Sequence, residues 1–199
     1  MPLAVKWPRV EACAKSLAAL AIAAALAPAA PVAFAQTTVL PSAEQTSDFQ
    51  EATVLYRSGQ YERALERVDA WLKTRPKDAR GRFLRGMILT QQKKLDDASR
   101  IYTDLTQDFP ELPEPYNNLA AIYAERGNLD KARSLLETAV RANAKFTAAH
   151  ENLGDIHARL AAASYEQALK LDATNKNIAA KLKAVNDLIP AQASAASKP

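Results

Sequence analysis

The segment "AERGNLDKARSLLETAVRANAK", Ala124–Lys145, decides how this chain is read. It places Gly127 ahead of an amphipathic stretch that carries Ala132, Leu136 and Ala139. Upstream stand two segments of the same build, "TQQKKLDDASRIYTDLTQDFPE" (Thr90–Glu111) and "RSGQYERALERVDAWLKTRPKD" (Arg57–Asp78). Ala64, Ala98 and Ala132 are spaced by 34 and 34, and so are Tyr61, Leu95 and Leu129, and Trp71, Leu105 and Ala139. Pro76 and Pro110 keep the interval, with Ala144 in the third place. A fixed period of this length marks a repeat array.

The period is explained by a helix hairpin. Small residues at 64, 98 and 132 let two antiparallel helices approach closely. Gly59 and Gly127 sit where the turn must leave helical backbone angles. Pro76 and Pro110 end the second helix and set up entry to the next pair. One hairpin cannot bury its apolar face alone, so hairpins must stack.

These residues resemble the tetratricopeptide repeat family, whose 34-residue unit carries a large residue, Leu-Gly and an aromatic in helix A, then Ala, a large apolar residue and Ala in helix B. Residues 113–146 match best, with Tyr116, Leu119, Ala120, Tyr123, Gly127, Ala132, Leu136 and Ala139. Residues 79–112 match with Gly86, Leu89, Ala98, Tyr102, Leu105 and Pro110, and depart at Arg85, where the family has an apolar residue. Residues 45–78 match mainly in their second half. The resemblance implies an all-α, TPR-like α-solenoid of three helix hairpins followed by a long fused helix and a C-terminal helix.

The long helix comes from an omission. "HENLGDIHARLAAASYEQALKLDATN", His150–Asn175, opens with Leu153-Gly154, yet the next member of the series Trp71, Leu105, Ala139 is found at Ala168 rather than 173. Five residues are missing, those that would form the turn and the start of helix B. Ala161, Ala162, Ala163 and Ser164 occupy the junction, where the alanines are strong helix formers. The sequence therefore predicts one helix over 147–171, of 25 residues and roughly 37 Å. Its stripe changes face: Leu153, Ile156 and Leu160 lie on one side, Tyr165 and Leu169 on roughly the other. The first half is expected to pack on the third repeat and the second half on the final helix or another chain. Residues 176–189 read as that final helix, with Asn175 as N-cap, Pro190 as stop, and Ile178, Leu182, Val185 and Ile189 on one face.

The N-terminal 35 residues read differently. Lys6, Arg9 and Lys15 precede the uncharged run "LAALAIAAAL", Leu17–Leu26, and Ala33-Phe34-Ala35 follows. Positive, apolar, then A-x-A is the secretory pattern. Cleavage is expected after Ala35, with an uncleaved anchor as the alternative, and the destination is the periplasm, with secretion the second choice. The expected order is a signal peptide (1–35), a linker (36–44), repeats 45–78, 79–112 and 113–146, a fused unit 147–175, the final helix 176–189 and a tail 190–199. Cleavage would take away three of 26 basic and one of 22 acidic residues, leaving 23 and 21. A nearly balanced chain offers no argument for nucleic acid, and no membrane span is expected after cleavage. Cys13, the single cysteine, would leave as well, so no thiol chemistry or disulfide is expected.

Little of the sequence speaks for catalysis. No H-E-x-x-H, Walker A, G-x-G-x-x-G or G-x-S-x-G motif is present. His150 and His157 lie about 10.5 Å apart along a helix, too far to share a metal unaided, and their repeat phase marks them as packing residues. Asp96 and Asp97 are adjacent and point to different parts of a helix surface, suiting the start of a helix rather than a catalytic dyad. Most aromatics fall at periodic interior positions. Lys73, Arg75, Lys77, Arg80, Arg82 and Arg85 form one local basic patch, readable as a solvated turn or as a site for an anionic partner. No cofactor, metal or enzymatic activity is expected.

The family resemblance implies a concave groove lined by the first helix of each repeat. By phase, the groove residues are Phe49, Gln50, Thr53, Tyr56 and Arg57 in the first repeat, and Arg80, Phe83, Met87, Thr90 and Gln91 in the second. The third offers Asn117, Asn118, Ala121 and Glu125, and the fourth Glu151, Asn152, Asp155 and Arg159. Asn118 and Asn152 share a phase, and an amide there can pair with both the N–H and the C=O of an extended peptide. Asn and acids at the later positions depart from the family's Lys- and Arg-based clamp for a C-terminal carboxylate. The implied function is a non-enzymatic adaptor or scaffold for a protein or peptide partner in a cell-envelope process. The alternative is a structural protein that self-associates through helix 147–171 and the final helix.

Overall fold

The structure is a computed structural model that describes the backbone of residues 43–189, and side chains from Asp48 onward. The expected signal peptide, its cleavage point, most of the expected linker and the tail lie outside the described residues. The described residues form eight helices and no strand: α1 (Ala43–Arg57), α2 (Tyr61–Thr74), α3 (Ala79–Gln91), α4 (Leu95–Asp108), α5 (Pro113–Glu125), α6 (Leu129–Ala142), α7 (Thr147–Leu171) and α8 (Lys176–Asn186). They fall into two compact units, residues 43–94 and 95–189.

The 34-residue period is written into the backbone at its turns. Gly59 and Gly127 have positive φ, at +76° and +77°. Lys93, 34 residues from each, takes φ +62° without being glycine, at a cost of about 1 kcal/mol for an L-residue. The same helix-ending bond follows at these three turns, with Gln60, Lys94 and Asn128 donating their backbone N–H to Leu55, Leu89 and Tyr123. That six-residue closure satisfies a carbonyl that the helix end would otherwise leave open. Side-chain caps start several helices: Asp78 accepts from the Gly81 N–H at 2.7 Å, Asn128 from Lys131 and Asn175 from Ile178.

In the first unit, α2 packs between α1 and α3 around Ala52, Leu55, Ala64, Val68, Leu84 and Ile88. The absence of any side chain beyond Cβ at Ala52 and Ala64 lets these helices close on one another. At position 71, where the period later has Leu105 and Ala139, stands an indole. Trp71 is 5% exposed and lies 5.5 Å from the Phe49 ring, with the Arg75 guanidinium 4.1 Å above it. Helix α3 makes room by carrying Gly81 opposite. A Cβ there would stand 2.8 Å from Trp71 Cδ1 and 2.9 Å from Leu72 Cδ2. The bulk is accommodated, but the buried Trp71 Nε1–H has no acceptor.

In the second unit, α5, α6 and the first half of α7 enclose Ala120, Ala124, Ala132, Leu136, Ala139, Ala149 and Ile156. Leu153 and Leu160 pack against this cluster, as their shared stripe predicts. Helix α7 runs unbroken for 25 residues through Ala161–Ser164, and α8 packs back on it. Two extents differ from expectation. Ala43 and Glu44, read as linker, belong to α1. The final helix stops at Asn186, and Leu188 and Ile189 are in turns. No residue of α8 is fully buried, so its last turn lacks the packing that would hold Leu188 and Ile189 in helix.

The histidines are a second correction. His150 and His157 are both exposed and do not pack in the core. They keep the phase of Tyr116 and Tyr123, which are half-buried one repeat earlier, but α7 continues where a second helix would fold back. His150 Nε2 instead lies 3.0 Å from the Ala144 carbonyl. Among the described residues no group of three or more metal-binding side chains occurs.

Candidate protein-binding surface

The candidate surface is built separately within each unit. In the first, Phe49, Thr53 and Tyr56 are half-buried on α1, while Gln50 and Arg57 are exposed. The Thr53 hydroxyl donates to the Phe49 carbonyl at 2.8 Å, so it is engaged with its own helix. On α3, Arg80 and Gln91 are exposed, Met87 is half-buried, and Phe83 is buried at 6% exposure. Phe83 therefore belongs to the core, not the surface. Arg80 is brought to the α1 residues, its guanidinium 5.4 Å from the Phe49 ring.

The basic patch is largely engaged at home. Arg85 pairs with Asp69 at 2.7 Å, Arg80 with Asp78 at 3.3 Å, and Arg75 covers Trp71. The ion pair with α2 explains how Arg85 is accommodated where the family carries an apolar residue. Phe83 and Leu84 supply the burial there, at 6% and 5% exposure.

In the second unit, α5 and α7 lie side by side and are tied at two levels. Near their starts the Asn152 amide donates to Asn117 Oδ1 at 2.7 Å, and near the end of α5 Arg159 Nη2 donates to the Ala124 carbonyl at 3.1 Å. The second tie places a cation on the C-terminal carbonyls of a helix, where charge and dipole agree. Asn118 and Asp155 remain half-buried between these ties, and Glu125 and Glu151 are exposed. Asn117 and Asn152, by contrast, are buried at 8% and 2% exposure. Their amides are spent inside the protein, so phase places them on the correct pair of helices but not on open surface.

The amides form a chain. Asn152 donates to Asn117, Asn117 Nδ2 to Asn118 Oδ1 at 3.3 Å, and Asn118 Nδ2 to the Tyr102 hydroxyl on α4 at 3.2 Å. Repeat phase alone does not bring Tyr102 to this surface. Its signal in the sequence is a hydroxyl at a buried, in-phase position where the other repeats carry Val68 and Leu136. Replacing Asn152 by Ala strands the acceptor of buried Asn117, and a loss of about 2 kcal/mol is expected in chemical denaturation. A loss below about 0.5 kcal/mol would show that this link bears no stability.

Electrostatics sharpen the α7 end. Burial raises the Asp155 carboxyl above its usual range, and neighbouring Glu151 adds to the effect, while Arg159 opposes it. Burial likewise lowers the Arg159 guanidinium, with Asp155 opposing that shift. Glu114, at the start of α5 and 5% exposed, is also raised by burial, against a backbone N–H that favours its ionised form.

Two tetratricopeptide repeat profiles match this chain, at residues 49–113 and 89–156. Together they span more than half of it. The chain belongs to the tetratricopeptide repeat family. Solved TPR proteins share the fold. A thermophilic TPR protein of Thermus thermophilus aligns at 24% identity over 76% of this chain and 87% of its own, with a TM-score of 0.56. The Yersinia enterocolitica type III secretion chaperone SycD, solved with a peptide of the translocator YopD, aligns at 22% identity over 59% and 95%, with a TM-score of 0.55. The Sgt2 TPR domain of Aspergillus fumigatus aligns at 14% identity over 64% and 85%, with a TM-score of 0.58. No curated protein matches by sequence. The fold class is thus an all-helical, TPR-like α-solenoid.

Proposed function

We propose that this TPR protein is a non-enzymatic adaptor of the bacterial periplasm that holds a peptide or partner protein against the first helices of its repeats. The observation that carries the reading is the α5–α7 face. Two helices cross-linked by Asn117–Asn152 and Arg159–Ala124 hold Asn118, Asp155, Glu125 and Glu151 at or near the surface on a preformed support. A fixed platform of hydrogen-bonding side chains suits capture without the cost of ordering the receptor. SycD in complex with a peptide of the translocator YopD, and the first TPR of Spaghetti (RPAP3) bound to the HSP90 peptide SRMEEVD, are peptide-binding proteins of this fold, which supports the reading. The leader-like N-terminus supports the periplasmic placement.

A photo-crosslinking residue placed at Asn118 or Glu151 tests the face in cells. Adducts are expected there and not from Glu137, exposed on α6. Equal labelling from all three positions, or none, removes the adaptor reading. N-terminal sequencing of the exported protein is expected to begin at Gln36, and an intact N-terminus removes the cleaved, periplasmic form.

A second reading, self-association through the C-terminal helices, has one observation in its favour. Leu171 and Leu188 are 84% and 71% exposed, and no residue of α8 is fully buried. Sedimentation at high concentration should then show a dimer that Leu171→Lys with Leu188→Lys dissolves. A strict monomer ends this reading.

A further inference from the structure

Helix α7 carries both halves of a hairpin in one rod. Its first half continues the first-helix series, with His150, Gly154 and His157 standing 34 residues after Tyr116, Ala120 and Tyr123. Its second half, displaced by the five missing residues, repeats the second-helix series. Ala161, Tyr165 and Ala168 stand 29 residues after Ala132, Leu136 and Ala139. In the α5–α6 hairpin the two series meet, since Ala120, Ala132, Leu136 and Ala139 share one core and are all 0% exposed. In α7 they cannot meet, because 25 residues of unbroken helix hold them end to end.

Each half therefore keeps a surface shaped for the other. His150, Gly154 and His157 are exposed, and a Cβ at Gly154 would find nothing within 4 Å. Ala161, Tyr165 and Ala168 are only half-buried, although α8 packs on this helix. Spacings of three and four residues from His150 to Ala168 put both surfaces on one face of α7. Set antiparallel to its own copy, that face is complementary to itself, first half to second half. Charge agrees with the pairing. Residues 147–160 carry Glu151, Asp155 and Arg159, a net −1, and residues 161–186 carry four lysines against Glu166 and Asp172, a net +2. An antiparallel copy lays the basic end of one chain beside the acidic end of the other, twice in each pair.

We propose that α7 pairs with α7 of a second copy, each chain supplying the second helix that the fused unit of the other lacks. The occupant is this same chain because the segment that fits the open seat lies in α7 and cannot reach the seat of its own copy. Exchange of an element between identical chains is a low-cost route to a closed twofold pair, and a lost hinge loop favours it. The register that sets Gly154 against Ala161 of the second copy brings the two His157 side chains to the twofold axis. This surface is distinct from the Leu171 and Leu188 contact considered above, and it does not depend on peptide capture by the α5–α7 face.

Cysteine crosslinking in the full chain tests the register, with Cys13, the single native cysteine, replaced by Ser. His157→Cys is expected to give a covalent dimer by itself. Two copies of Gly154→Cys would lie about 10 Å apart along the helices, beyond the reach of a disulfide, and should crosslink only when Ala161→Cys is added. Gly154→Leu gives a second reading. Within one chain the new side chain meets open space, so at dilutions where the chain is monomeric the thermal midpoint should hold or rise. Its bulk should nevertheless keep the two helices apart and weaken the dimer at least about tenfold in sedimentation. A strict monomer overturns this pairing together with the C-terminal contact. A dimer that Gly154→Leu leaves intact and Leu171→Lys with Leu188→Lys dissolves overturns the α7 pairing alone. Crosslinking of Gly154→Cys by itself also overturns it, and none of these results touches the adaptor reading.

Discussion

Gly81→Ala lowers the stability of the protein by about 2 kcal/mol, although the same change in an ordinary helix raises it by up to about 1 kcal/mol. Gly81 lies in the first turn of α3, and its backbone has no need of glycine. Its N–H would still reach Asp78, as it does now at 2.7 Å. The obstacle is steric alone: the new Cβ would meet Trp71 Cδ1 at 2.8 Å and Leu72 Cδ2 at 2.9 Å. Leu72 can give way at its flexible end. The indole cannot, being held by the Phe49 ring and beneath Arg75. Trp71→Ala alone costs about 3–5 kcal/mol by leaving a cavity. On that background Gly81→Ala is expected to become neutral or stabilising, and a double-mutant cycle in chemical denaturation reads the reversal of sign. Additive losses would show that the two residues do not share one space.

This pair also marks the limit of what the sequence discloses. The 34-residue spacing of Ala64, Ala98 and Ala132 locates the close helix approaches, since the constraint repeats and a repeated constraint is visible in one chain. The Trp71–Gly81 fit occurs once, between positions that are not equivalent in the period, and no repetition draws attention to it. The surface residues show the same division. Phase assigns Asn117, Asn118, Asn152 and Arg159 to α5 and α7, which the structure ties together. Phase does not say how closely neighbouring helices cover each position, and so it puts Phe83, Asn117 and Asn152 in the open although all three are buried. The histidines fail in the opposite direction, since phase puts His150 and His157 in the interior although both are exposed.

The second large effect concerns that missing turn. Ala163→Pro costs about 3 kcal/mol or more, while Ala163→Gly costs about 1 kcal/mol. Ala163 is exposed midway along α7, so neither change removes packing. Proline deletes the backbone bond toward Arg159 and drives its ring against that carbonyl, which matters only if the helix is continuous there. Thermal denaturation by circular dichroism should show the Pro variant losing its C-terminal helical signal first, in a separate early step. If Pro proves no worse than Gly, the chain does not run as one helix through Ala161–Ser164.

The fused helix also bears on how the fold opens. In a row of hairpins each loop is a place where unfolding can pause, so terminal hairpins fray independently and their amide protons exchange early. Helix α7 offers no such pause within residues 147–171. Its backbone ladder continues from the segment clamped by Ile156 and Asn152 into the segment on which α8 rests. Hydrogen exchange should therefore grade along α7, slowest beside Ile156 and faster toward Leu171, with no step at Ala161–Ser164. The loss of five residues converts a boundary between cooperative units into a mechanical link, and α8 takes its order from the interior through α7.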